Sequence, residues 1–314
     1  MQLGRWATLR TKIIAWSFIP TMIILVMVAA VIFVAYQQVT EDLVIERNRE
    51  LTRLAASQIA AQLNEYVNLL DAEARRAVIA DRDPAIQRDG LRAARKRLAS
   101  FDAGVLILDT FGMVVAAEPE RPGIPGLNWS DRAYYREALR SAISGSAKPV
   151  ISNMVSDGRH HEDVIVVATP IAGNQGQFLG LLVGMFSMEM LKQGPLGESF
   201  SELFPSSRGR TLLIDGHGRP LFTSISKSHR ENALDHEFTQ RALSGEVGAI
   251  RASNADGQAV VASFAPVPGT PWGLVSEENW AGLASSGRGY QRFLLFLLLL
   301  GIIVPTLVLS LIHI

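Results

Sequence analysis

One repeated unit constrains this chain more than any other feature. Leu106 to Ala117 reads LILDTFGMVVAA and Leu212 to Thr223 reads LLIDGHGRPLFT, each a predicted strand, turn and strand. Both are followed by a short helix-like segment ending in Ser-Gly, REALRSAISGSAKPVIS and TQRALSGEVGAIRAS. Both then close on a matching strand, VVATPI from Val166 and VVASFAPV from Val260. A supersecondary unit present twice predicts two similar modules rather than one core. From its first Leu to its closing Val-Val the first unit spans 60 residues against 48 in the second, and the extra length includes NWSDRAYY. The first unit is therefore expected to carry the better-equipped pocket.

The repeat lies between two uncharged segments. Ile13 to Tyr36 carries no charge for 24 residues and Phe293 to Ile312 none for 20. Each is long enough to cross a hydrocarbon core of about 30 Å at about 1.5 Å per residue, in keeping with a mean hydropathy of +0.19 for the chain. Arg5, Arg10 and Lys12 precede the first segment, and Glu41 and Asp42 follow it. Basic flanks stay cytoplasmic, so the N-terminus is expected inside and residues 37–292 outside. A cleavable signal peptide is the rival reading, but the apolar stretch exceeds a usual h-region and no clear Ala-x-Ala site follows it. None of the 314 residues is cysteine, which excludes disulfides, thiolate metal ligands and a thiol nucleophile. Thirty basic and 30 acidic residues give zero formal charge and no reason to expect a nucleic-acid partner.

From Gln37 to about Ala80 no Gly or Pro intervenes, and Val44, Leu51, Leu54, Ile59, Leu63, Val67 and Leu70 recur near helical spacing. This predicts a long amphipathic stalk that packs on the chain's own modules or on a dimer mate; its heptads are imperfect for a coiled coil. Asp83-Pro84 breaks it, and a basic helical stretch, Leu91 to Ser100, leads into the first strand. The expected division is a cytoplasmic N-terminus (1–12), a span (13–36), stalk and connecting helices (37–100), a first module (101–193), a Gly/Pro/Ser-rich linker (194–207), a second module (208–280), a juxtamembrane segment (281–292) and a second span (293–312). Hairpin turns and short helices in each module predict an α+β fold, an antiparallel sheet with helices on one side.

The segments LILDTFGMVVA, NWSDRAYYREAL, VVATPIAGNQGQFLGLLVGMFS and APVPGTPWGLVSEE, in this order after a long helix, resemble the double Cache sensor family, PAS-like modules found outside bacterial membranes. The resemblance covers roughly residues 37–280. It implies that the membrane-distal module, 101–193, binds the ligand. It also implies that the segment matching SDRAYY supplies Arg132, Tyr134 and Tyr135, with Trp129 nearby. A guanidinium pairs bidentately with a carboxylate, and aromatic rings supply apolar walls with a polar tip. A small carboxylate is thus the expected ligand. Family members that bind amino acids place an Asp where this chain has Met185, and a thioether cannot balance an ammonium. Amine-free ligands are expected accordingly.

Competing readings are weaker. Arg132 on a helix surface would pair with Asp131 or Glu137. Tyr134 and Tyr135, about 100° apart on a helix, are not expected to face one pocket together. His160-His161-Glu162-Asp163 reads as a solvated turn rather than a metal site, because adjacent side chains on an extended segment diverge. Asp215-Gly-His-Gly218 likewise reads as a turn. Trp272 fits the closing strand of the second module, and Trp280, Tyr290, Arg288 and Arg292 fit the outer membrane interface. No G-x-S-x-G, H-E-x-x-H or phosphate loop is present, so no catalytic residue, metal or cofactor is expected.

The expected protein is the sensory half of a homodimeric receptor of the bacterial inner (plasma) membrane, holding a small carboxylate and signalling through its second span. The alternative is an anchored module docking a periplasmic protein or cell-wall component without a pocket. The final Leu-Ser-Leu-Ile-His-Ile matches a translated transposon end used in sequencing libraries, which predicts a reading frame cut at Leu309–Ile314 before an output domain. That output would be a histidine kinase, a chemotaxis signalling domain or a cyclic-nucleotide enzyme.

Overall fold

The computed structural model describes residues 9–76, 78–156, 163–173, 175–204, 209–224, 237–254 and 257–285, together with 296, 299–301 and 303. It divides into two compact units, one of Met1–Arg47 with Asn279–Ile314 and one of Asn48–Glu278. Helix α1, Leu9–Ala74, belongs to both.

In the smaller unit α1 exposes Ile23, Ile24, Met27, Val31 and Val34, and an 18-residue window reaches a mean hydropathy of 2.2. It is one helix long and apolar enough to cross a membrane. The second expected span, 293–312, falls almost wholly outside the described residues, as do Leu309–Ile314, Arg288, Tyr290 and Arg292. Trp280 opens a short helix, Trp280–Ser285.

The larger unit is α+β and contains the repeat twice over. In the first module β1 (Gly104–Leu108), β2 (Val114–Glu118), β3 (Val150–Ile151), β4 (Val155–Ser156), β5 (Asp163–Ala172) and β6 (Phe178–Ser187) form one antiparallel sheet, ordered β2-β1-β6-β5-β3 with β4 beside β5. In the second, β7 (Gly209–Ile214), β8 (Pro220–Thr223), β9 (Gly248–Ser253), β10 (Ala259–Pro266) and β11 (Gly273–Asn279) are ordered β8-β7-β11-β10-β9. The two orders are identical once equivalent strands are matched. Turns at Gly112 and Gly218, both at positive φ, close the two first hairpins.

Strand alternation sends successive side chains to opposite faces. One face of each sheet joins a single core around α1. Val105, Ile107, Ile165, Val167, Leu182 and Phe186 from the first sheet meet Ile59 and Leu63 there, as do Leu213, Leu221, Ala265 and Leu274 from the second. Ile59, Leu63, Val67 and Leu70 face this core as expected, but the preceding part of the helix face differs. Leu51 and Leu54 are exposed, whereas Thr52, Ala55, Ala56 and Ala60 are buried. Small residues let a sheet approach the helix closely, and Thr52 Oγ1 lies 2.7 Å from Ser263 Oγ. The helix also ends at Ala74, short of the expected Ala80, and Asp83 caps a second helix, α2 (Pro84–Ala94), by accepting from the Ala85 N–H at 2.9 Å.

Under the first sheet Tyr66, Phe101 and Phe186 pack ring against ring, with centroids 4.7 Å apart for Phe101 and Phe186. Gly184 in β6 leaves room for this group, because a Cβ there would overlap the Phe101 ring. Replacing Gly184 with Ala is expected to lower stability by about 1–3 kcal/mol. Thermal unfolding of the full chain in detergent reads this, and an unchanged midpoint would contradict the packing.

Glu73, 2% exposed at the end of α1, accepts from Arg97 Nε at 2.6 Å and Nη2 at 2.9 Å, and pairs with Arg76 at 3.0 Å. The Arg97 guanidinium holds this carboxyl below the usual carboxylate range, against the opposing effect of burial. A depressed folded-state pKa contributes stability that is present above the unfolded value and lost as the pH falls through the folded one. Wild type is therefore expected to lose more stability than Glu73→Gln as the pH falls from about 5 toward 3. Parallel melting curves across that window would contradict the assignment.

Candidate functional site

The other face of the first sheet builds a separate layer. Leu106 and Leu108 of β1, Val166 and Ala168 of β5, and Leu181, Val183 and Met185 of β6 point away from α1. Helix α3, Ala133–Ile143, lies against them with Tyr134, Tyr135 and Ala138, and Trp129 completes the layer from the preceding loop. Four of the expected site residues, Trp129, Tyr134, Tyr135 and Met185, thus share one apolar cluster.

Both tyrosines are 3% exposed and lie in this one apolar layer. The β1–β2 hairpin reaches α3 at one point. Tyr135 Oη donates to the Thr110 carbonyl at its tip, at 2.8 Å. Burial pushes the Tyr134 phenol well up, and burial with the nearby Asp109 carboxylate raises that of Tyr135. Both stay neutral at physiological pH and supply apolar walls.

Arg132 sits at the rim, half-buried, directly before α3. Its guanidinium lies over the Trp129 ring at 5.5 Å, and Nη1 donates to the Ser156 carbonyl at 3.4 Å, the outer limit of a hydrogen bond. Among the described residues it pairs with neither Asp131 nor Glu137, nor with any other carboxylate. The backbone there is extended, and no side chain caps the first turn of α3. Ser156, which sequence reasoning missed, adds a buried hydroxyl without a hydrogen-bond partner among the described residues. Nothing in its local sequence marks it, since it acquires this place only by lying 24 residues beyond Arg132 in the chain and beside it in the fold.

A cavity of about 230 Å³ opens on the α1 side of the same module, lined by Leu91, Arg95, Phe101, Asp102, Glu118 and Pro119. Its charges are already paired, Arg95 with Glu118 at 3.3 Å and Asp102 with the Ser187 N–H at 2.8 Å. It therefore reads as a packing gap. His160, His161 and Glu162 lie outside the described residues, and among those described no three His, Asp or Glu side chains converge as metal ligands. The Asp215 turn closes on itself as expected, through the His217 and Arg219 N–H groups at 2.9 Å each, but it also reaches the first module.

Tyr135→Phe removes the bond to Thr110 and leaves its carbonyl without that partner, and is expected to cost about 1 kcal/mol. A midpoint identical to wild type in chemical unfolding would contradict a role for this contact in holding α3.

Residues 36–286 match the family model described as Cache domain. No curated protein sequence matches the chain. Solved structures share the fold. The ligand-binding domain of the Pseudomonas fluorescens chemoreceptor CtaA in complex with L-isoleucine is 19% identical, with a TM-score of 0.56 over 80% of this chain and 97% of that one. The ligand-binding domain of the Pseudomonas aeruginosa PAO1 amino acid chemoreceptor PctB in complex with L-Arg is 21% identical, with a TM-score of 0.56 over 77% and 97%. The extracellular domain of rpHK1S-Z16 is 19% identical, with a TM-score of 0.51 over 80% and 99%.

Proposed function

The chain belongs to the Cache domain family, and from that premise we propose that its first module senses a small, amine-free carboxylate for a bacterial membrane receptor. The observation that carries this reading is Arg132. A half-buried guanidinium stacked on Trp129, with one long bond to a carbonyl and no carboxylate partner among the described residues, is a cation open to an anion. A carboxylate accepts two parallel N–H bonds from it and gains more than the single long bond it displaces. The N-terminal N–H groups of α3 and the unpartnered Ser156 hydroxyl support the same anion.

Met185 supports the finer specificity. It is 2% exposed in the apolar layer that holds Trp129, Tyr134 and Tyr135, on β6 beside Val166. The structural relatives CtaA and PctB are recorded with amino acids bound. An ammonium placed against Met185 would lose its hydration without gaining a counter-charge. Discrimination against the amino group follows from that cost.

In this reading residues 37–292 lie outside the inner membrane, the N-terminus lies in the cytoplasm, and a second span carries the signal inward. Exposed Leu51 and Leu54 on α1 support a homodimer, in which a second copy covers them. Ligand binding shifts the receptor only through its differential affinity for two states.

A thermal-shift screen of small organic acids, on the full chain in detergent and on its Arg132→Ala variant, tests the proposal. A carboxylate at about a hundred times its Kd is expected to stabilise wild type by about 2.7 kcal/mol. Loss of the guanidinium is expected to weaken binding roughly 10- to 100-fold. A carboxylate that raises both midpoints equally would place the site elsewhere.

A further inference from the structure

The three residues between β3 and β4, Ser152 to Met154, belong to the first module by sequence, yet the second module supplies many of their hydrogen bonds. Trp272 Nε1 donates to the Ser152 carbonyl at 3.0 Å. The Gly216 N–H donates to Asn153 Oδ1 at 2.7 Å. The Met154 N–H donates to Asp215 Oδ2 at 3.2 Å, and the Met154 carbonyl accepts from Arg219 Nη2. The clamp is internally braced, because Arg219 also grips Asp215 Oδ2 through Nε at 3.0 Å and Nη2 at 2.7 Å. Asp215 is fully buried, so its charge is held by these bonds rather than by water.

The bridge leads directly to the candidate site. Val155 and Ser156 follow Met154 as β4, which is only two residues long and pairs with β5 at Val164 and Asp163. The Ser156 carbonyl is the hydrogen-bond acceptor of Arg132, and the Ser156 hydroxyl is the unpartnered group beside it. One residue, Val155, separates the clamped Met154 from the residue that holds the guanidinium. With only two residues paired to β5, the strand also feels what Met154 and the Ser156 carbonyl bind.

From this we infer that the Asp215–Arg219 turn of the second module positions Arg132 of the first, through Met154 and Ser156, so that occupancy of the Arg132 site and closure of the inter-module clamp depend on one another. The inference rests on the ligand site proposed above. A carboxylate that draws Arg132 off the Ser156 carbonyl removes one contact that bears on β4, and loosening the clamp removes another, while the pairing with β5 remains. Coupling of this kind is reciprocal. Asp215, Arg219 and Asn153 are positioning residues, none of them touching the proposed ligand.

Amide hydrogen exchange of the full chain in detergent, without any ligand, tests this in both directions. Arg132→Ala is expected to speed exchange in residues 209–219 about five-fold or more, with α1 residues 55–70 unchanged as the internal standard. Arg140→Ala, an exposed position on the same helix, is the control. Asp215→Asn is expected to speed exchange across 128–135 as well as at Met154, and Arg219→Lys serves as the milder variant if Asp215→Asn unfolds. A hairpin that responds no more to Arg132→Ala than to Arg140→Ala would overturn the inference. So would an Asp215→Asn or Arg219→Lys effect confined to residues 150–156 and 209–219, which would make the clamp a local fastening. Because no ligand is needed, a failed acid screen would sink the proposed function and leave this result standing.

Discussion

Two sheets share one helix, and the rest of the molecule follows from that contact. α1 presents Ala55, Ala56, Ile59, Ala60 and Leu63 to both modules, and each sheet gives it one face of alternating strand residues. Committing that face to the helix leaves the opposite one to be closed by short helices. The first module does so with α3 over Met185 and its neighbours, and the second with Phe238 and Ala242 against Phe264 and Val275. The first module's layer has Arg132 at its rim, whereas Arg241 of the second, its guanidinium 4.8 Å from the Phe264 ring, is paired with Glu246 at 2.8 Å. Among the described residues, the same architecture thus carries one arginine with a carboxylate partner and one without.

Much of this could be read from the chain because the repeat is local. LILDTFGMVVAA and LLIDGHGRPLFT carry strand alternation around a glycine turn, and both became antiparallel pairs with equal places in their sheets. The helix face could not be read as well. Leu51 and Leu54 are larger than their alanine neighbours and dominate any apolar pattern, yet close approach to a sheet favours Ala55, Ala56 and Ala60. Periodicity reports where apolar mass lies and is blind to how near a partner comes.

The grouping of residues at the candidate site was legible where a motif carried it and illegible where the fold made it. Arg132, Tyr134 and Tyr135 lie in eleven-residue helix α3 or directly before it, so their grouping is a local matter. Ser156 and the Asp215 clamp are not local. Asp215 reads as an ordinary turn residue, and its turn bonds to His217 and Arg219 satisfy that reading. Its reach to Met154, 61 residues earlier, exists only once both modules have docked. A buried carboxylate in a turn between two modules is a better sign of an inter-module contact than any feature of its own sequence.

The proposed site pairs a guanidinium that has no carboxylate partner among the described residues with a thioether at Met185. The direct test is calorimetry of the full chain with matched pairs, each an L-amino acid and the same acid without its amino group, such as L-isoleucine and 3-methylpentanoate. Tighter binding of the amine-free member is what the proposed site, with Arg132 as its cation and Met185 in its apolar layer, predicts. Tighter binding of the amino acid would mean that another group balances its ammonium, and would contradict the account.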